Sequence, residues 1–158
     1  MAEFSYIGPA ITIPPGGFFT FNANPVPCER GFVRWRQGAG VFNLSGWIPN
    51  CIANKCCKCQ TPSAIYLVDF GANLAIPTGE TVGEISAIFT LDGVEIPGTE
   101  MMLTPTAVEQ FNNVSRATNV PVFRNCCQTF GIKNNSTIPI LASGHNLIFA
   151  RPDLGKTY

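Results

Sequence analysis

The sequence predicts an all-β protein, built as a sandwich or barrel, and three observations carry that prediction. Helical periodicity is nearly absent, short β-branched and aromatic runs recur along the chain, and most of the 13 prolines and 15 glycines fall between those runs. The chain has 158 residues, enough for one domain with a substantial core. Hydrophobic residues make up 46% of it, which argues against disorder.

The first strands are expected at residues 10–13 and 17–22. The next, at 31–36, sets Phe32, Arg34 and Arg36 on one face and Val33 and Trp35 on the other. Strands at 40–45, 64–72, 74–76 and 82–91 follow; in the last, Ile85, Ala87, Phe89 and Leu91 share a face, with Ser86 and Thr90 opposite. Leu91-Asp92-Gly93-Val94 reads as a tight hairpin, because Asp-Gly accepts the positive φ angles that a primed turn needs. The remaining candidates are 94–96, 100–104, 108–114, 119–124, 127–134, 138–141 and 146–151, with a helical turn expected only near 105–110. Residues 46–63 carry four cysteines, two lysines and two prolines but little strand signal, and read as a Cys-rich loop insertion. No repeat or linker is visible, so the division is an N-terminal arm at 1–15, one domain at 16–151 and a C-terminal tail at 152–158.

Charged residues are only 13% of the chain, about half the usual share. Lys plus Arg equals Asp plus Glu, ten each. Zero net charge argues against nucleic acid as a partner, since binding needs clustered cations to neutralise phosphates. It also argues against a highly soluble monomer, and a charge-poor surface suits burial against another protein. The apolar stretches are too short and too interrupted to span a membrane as a helix. Met-Ala-Glu-Phe-Ser-Tyr has neither a basic n-region nor an apolar h-region, so no secretory signal is expected. An external protein lacking one would have had its signal removed, or would be released by lysis, viral or of a sporulating mother cell.

Seven cysteines, Cys28, Cys51, Cys56, Cys57, Cys59, Cys126 and Cys127, are an odd number that cannot all pair within one chain. Cys56-Cys57 and Cys126-Cys127 are neighbours whose Cα atoms sit only about 3.8 Å apart, so each pair reaches two different partners. That suits a covalent lattice or fibre. The cluster Cys51-x4-Cys56-Cys57-x-Cys59 could supply thiolates to zinc or an iron–sulfur centre, but it lacks the two Cys-x2-Cys pairs of a zinc knuckle. Disulfides, a metal site and plain thiols all stay open, with disulfides favoured and no cofactor or metal expected.

His145 is the lone histidine, in Ser143-Gly144-His145-Asn146, and would have to be the base of any Ser–His or Cys–His engine. A lone histidine in a glycine-containing turn is more often an ordinary loop residue. Asp92 is explained by its turn, Asp69 by an outward position or a subunit contact, and Glu80, Glu84, Glu95 and Glu100 by strand ends. No dinucleotide or phosphate-binding glycine loop and no His-Glu-x-x-His occurs. No catalytic residue is therefore expected, and the chain reads as a non-enzyme. Arg30, Arg34 and Arg36 form the one basic cluster; Arg34 and Arg36 could meet acids of a neighbour, or simply discourage pairing at an edge strand. Trp35, Trp47, Phe18, Phe19 and Tyr66 read as core, as a subunit interface, or as a sugar-stacking platform.

The order of these features resembles the jelly-roll domain of the C1q and tumour-necrosis-factor superfamily, in its bacterial and phage branch, which includes collagen-like spore-surface proteins. The likeness is carried by residues 40–44, by 64–76 with Tyr66, by 83–94 with its Leu91-Asp92-Gly93 turn, and by the closing runs from Asn119 to Asn134 and 146–151. It covers about residues 18–151 and departs from the family in lacking a Gly-X-Y stalk and in carrying the Cys-rich loop. It implies a jelly-roll sandwich of about ten antiparallel strands, often trimeric, used for display, adhesion or assembly. The expected function is thus a self-assembling structural protein of an external particle, a phage decoration or fibre protein or a spore-surface or appendage subunit, fastened by disulfides. Its partners are copies of itself, through Phe4, Tyr6 and Ile7 of an arm that adds to a neighbour's sheet, and through Arg34, Trp35, Arg36 and Trp47. The alternative is an adhesin or carbohydrate-binding head with a glycan as ligand.

Overall fold

The computed structural model describes residues 1–28, 30–48, 63–124 and 127–152. Twelve strands occur among them: β1 (Ala2–Ser5), β2 (Ile11–Ile13), β3 (Ala23–Val26), β4 (Val33–Arg34), β5 (Val41–Ser45), β6 (Ser63–Ala75), β7 (Ile85–Leu91), β8 (Val94–Glu95), β9 (Met101–Leu103), β10 (Asn112–Phe123), β11 (Cys127–Asn134) and β12 (Ile140–Ala150). They form two six-stranded antiparallel sheets. Sheet A runs β10-β6-β12-β1-β3, with β2 also on β12; sheet B runs β4-β5-β11-β7-β8, with β9 also on β7.

Alternation along β6 explains the sandwich. Ala64, Tyr66, Val68, Phe70, Ala72 and Leu74 point inward and are buried, so one face of this long strand is continuous core. Phe42 and Leu44 of β5, Phe89 of β7, Phe130 and Ile132 of β11, and Leu147 and Phe149 of β12 meet it from the other strands. Aromatic rings interlock edge to face across the layers, as in Phe70 on Phe89 at 6.3 Å and Phe130 on Phe149 at 5.4 Å. At the expected hairpin Asp92 and Gly93 adopt φ angles of 52° and 78°. Asp92 holds the turn, accepting from the Thr129 N–H at 2.8 Å and from Gln128 Nε2 at 2.9 Å.

Several expectations change. Residues 1–15 are no free arm: β1 lies inside sheet A, pairing with β12 from Ala2 opposite Phe149 to Ser5 opposite Asn146, and with β3 on its other side. Phe4 is consequently core, only 1% exposed, and packs on Trp35, Phe42 and Phe149 rather than on a neighbouring molecule. The expected strand at 17–22 reduces to one bridge, Phe18 with Lys133, where this segment occupies the lane beside β11 that β5 vacates. Pairs of expected strands merge into β6, β10 and β12, because long partners carry the pairing through residues of low strand propensity. Residues 105–110 form turns instead of a helix, with Glu109 at a φ of 55° and Gln110 Oε1 accepting from the Thr106 amide at 3.0 Å. In β7 both faces are buried: Ser86, Ile88 and Thr90 are enclosed too.

Candidate functional site: a charge-poor sheet face and a cysteine-bearing end

The outward residues of sheet A follow from register. Across β10 and β6 the outer pairs are Phe123 with Ser63, Pro121 with Ile65, Asn119 with Leu67, Ala117 with Asp69, Ser115 with Gly71 and Asn113 with Asn73. On β12, Ala150 lies beside Leu67, Ile148 beside Asp69 and Asn146 beside Gly71. On β1, Glu3 lies beside Ile148 and Ser5 beside Asn146. The face is therefore built from small, apolar and amide side chains. Asp69 and Glu3 flank Ile148 as its two charges, both negative, and Glu3 also accepts from Asn146 Nδ2 at 2.6 Å. Phe123 and Leu67 stand 64% and 40% exposed at one end of it. Asp69 faces outward, as the sequence predicts.

At that same end the chain crosses between the sheets three times. From β3 it passes through Cys28 to β4, from β5 through residues 46–62 to β6, and from β10 through residues 124–126 to β11. Ser45, just before residues 46–62, sits opposite Cys127, and Ser63, just after them, sits opposite Phe123. All three cysteine-bearing connections thus begin and end at one pole of the sandwich. Cys28 is half-buried and Cys127 exposed, and no disulfide joins two described cysteines. Cys51, Cys56, Cys57, Cys59 and Cys126 lie outside the described residues. Among the described residues no group of three His, Cys, Asp or Glu side chains gathers to hold a metal ion.

A polar clamp fastens this pole. The Tyr66 hydroxyl donates to the Ser45 carbonyl at 2.6 Å, tying sheet A to sheet B, with the Phe32 carbonyl at 3.1 Å. The Arg151 guanidinium lies between the rings of Tyr66 and Phe32, 4.8 and 5.0 Å from their centroids, and donates to the Trp47 carbonyl at 3.1 Å. Burial raises the Tyr66 pKa above its ordinary value, and the cationic Arg151 opposes that rise. Neither the clamp nor Arg151's part in it is visible as a motif, because its members are far apart in sequence.

The other predicted interface residues scatter. Ile7 is 70% exposed at the turn after β1, and Tyr6 is half-buried against His145. Trp35 packs on Phe4 and Phe42 and donates its indole N–H to the Ala39 carbonyl at 3.0 Å. Arg34 and Arg36 are exposed, and Trp47 is 50% exposed over Phe32. Arg34, Trp35 and Cys28 line an open cleft of about 270 Å³ between the edge strands β3 and β4. The aromatics make no single platform: Phe19 and Tyr66 are core, and Phe18 lies across Gly131 on sheet B. His145 is no loop residue; it is wholly buried, its Nε2 2.5 Å from the Thr20 carbonyl.

No protein-family model matches the chain, and no curated protein matches it either. Solved structures do. The globular domain of zebrafish complement 1qA protein superposes with a TM-score of 0.58 at 10% identity, over 93% of this chain and 94% of that one. Murine APRIL gives 0.58 at 8% identity, over 95% and 98%. Eiger TNF from S. frugiperda gives 0.60 at 9% identity, over 99% and 95%. At such identities the likeness is one of fold alone, and that fold is the C1q/TNF-like jelly roll.

Proposed function

We propose that this chain is a non-enzymatic building block that assembles with copies of itself through the outer face of sheet A, with the cysteine-bearing pole fastening the joint. The observation that carries the reading is the face itself, running over four strands and nearly without charge. Apolar groups there gain by leaving water and the amides can trade water for partners on a facing copy, whereas a free soluble surface is usually dense in mixed charge. Its two carboxylates, Glu3 and Asp69, favour a head-to-tail contact. Two such faces meeting across a two-fold axis would bring carboxylates together, while the exposed Arg34 and Arg36 at the β4 edge of a neighbour offer the opposite sign. Head-to-tail contacts close into rings or extend as filaments, which suits the surface of a virion, spore or cell. Convergence of three cysteine-bearing connections at one end supports disulfide locking between subunits once burial has aligned them.

Sedimentation and light scattering test the reading. The chain is expected to associate with rising concentration, and Arg34→Glu with Arg36→Glu to weaken that roughly tenfold or more. Adding Glu3→Arg and Asp69→Arg to the same chain should restore association, which a merely misfolded variant would not do. Non-reducing gels should then show ladders that reductant collapses. A monomer at the highest attainable concentration refutes self-assembly, and if that monomer binds a glycan the carbohydrate-binding alternative takes its place.

A further inference from the structure

The fold places the chain's one histidine where a second proton has nowhere to go. His145 occupies the irregular step in the β12–β6 pairing between Ser143 and Asn146, next to Gly144 at a φ of 59°. Its ring stacks on Tyr6 at 5.0 Å and 6°, and meets Phe19 and Phe21 edge-on at 5.6 and 5.0 Å. A carbonyl only accepts, so the contact with Thr20 puts the ring proton on Nε2 and leaves Nδ1 bare. Nδ1 is buried, with no hydrogen-bond partner among the described residues. The backbone of the same residue takes the Tyr6 N–H at 2.9 Å. One residue thus ties β12 both to the turn after β1 and to the segment at Thr20.

The charged and titratable groups around it do not help a cation. From β1 and its turn come Glu3, directed outward to Asn146, and the phenol of Tyr6. The segment 14–22 contributes none. The turn that pairs with Phe21 contributes Arg36, exposed and of the wrong sign. From β6 the nearest is Asp69, on the outer face opposite Ile148. The Tyr6 ring face offsets part of the cost of charge, but no carboxylate meets the ring.

We propose that His145 is an acid-operated latch: neutral, it fastens residues 2–22 against β12, and on taking a second proton its ring leaves the aromatic enclosure and loosens that segment from the middle of sheet A. Burial holds the enclosed ring's pKa below the ordinary histidine value of 6.5. The released form therefore binds protons first as pH falls. Latching is complete above about pH 6.5 and weakens steadily from there toward the lower value of the enclosed ring. Half-buried Tyr6, followed by a turn with Gly8 at a φ of 137°, is the side on which the enclosure opens. The latch stands on geometry within one chain and does not depend on self-association.

The test uses the full chain. Proton NMR follows the single imidazole, while amide exchange, corrected for intrinsic rates, follows residues 2–6 and 17–22, with β7 and β10 as internal references. Protection of the N-terminal residues should fall at least tenfold between pH 7 and pH 5, beginning above the pH at which the enclosed ring itself titrates, with the references unchanged. His145→Phe keeps an aromatic plug and should abolish that dependence. Constant protection in the native chain, or the same fall in His145→Phe, overturns the latch. Should the variant fail to fold, the native titration decides alone.

Discussion

Tyr66→Phe is the sharpest probe of the clamp at the cysteine-bearing pole. The ring is fully buried, so the substitution leaves its packing in place and removes one hydroxyl. That hydroxyl has a single proton to share between the Ser45 carbonyl at 2.6 Å and the Phe32 carbonyl at 3.1 Å. Losing one hydrogen bond and leaving a sheltered carbonyl short of a donor costs about 1.5–3 kcal/mol. For a chain of this size that lowers Tm by roughly 3–12 °C. Urea unfolding should show a lower midpoint with an unchanged slope, since the exposed area hardly changes. A second signature lies at high pH. Burial raises the folded phenol above its ordinary 10.0, so the unfolded chain releases that proton first. The contribution of Tyr66 is full below about pH 10 and is lost as pH rises through the folded value, at up to about 1.4 kcal/mol per pH unit. The advantage of the native chain over Tyr66→Phe should therefore shrink above pH 10. A loss below about 0.5 kcal/mol, or parallel alkaline limbs, would refute the clamp.

Gly131→Ala should cost about 1–3 kcal/mol by thermal or urea unfolding, because a Cβ there comes within 2.7 Å of the Phe18 ring and 3.3 Å of the Gly40 carbonyl. Asp92→Asn keeps an acceptor for Thr129 but sets an amide against Gln128, whose own oxygen already accepts from the Phe123 N–H at 2.9 Å. A loss of about 1 kcal/mol is expected at neutral pH. Hydrogen bonds from Gln128 and Thr129 hold the Asp92 carboxyl below 3.8, so its contribution is full above that pH and is lost as pH falls through the folded value. An acid-unfolding curve for Asp92→Asn should lack that component, and a curve that keeps it contradicts the assignment.

What the sequence reveals here is local order, and what it hides is partnership. The primed turn at Asp92-Gly93 and the strand content of β6 are legible because φ preference and runs of β-branched and aromatic residues are written in adjacent residues. The bounds of β11, 127–134, are legible for the same reason. β1 is not, since Ala-Glu-Phe-Ser has no β-branched residue and earns its strand from β12 and β3. β3 is hidden by Pro25, which an edge strand tolerates. Asn134 looks like a turn residue, yet it is 1% exposed and donates to the Ile13 and Ile138 carbonyls at 3.0 and 3.1 Å. His145 misleads in the same way, for a glycine beside it signals a turn while the structure uses that glycine for a kink within a strand. The outer face of sheet A becomes apparent only when register assembles four strands that are separate in sequence.

The seating of β1 between β12 and β3 has a kinetic consequence. The ribosome makes β12 after every other described strand, so the gap on one side of β1 stays open until β12 has been made. Until it is filled, nascent chains present bare hydrogen-bonding edges to one another, and the longest loop closure among the described strands comes last. Maturation should therefore be slow and prone to mispairing between crowded chains, with a helper that shields the early strands shortening the wait.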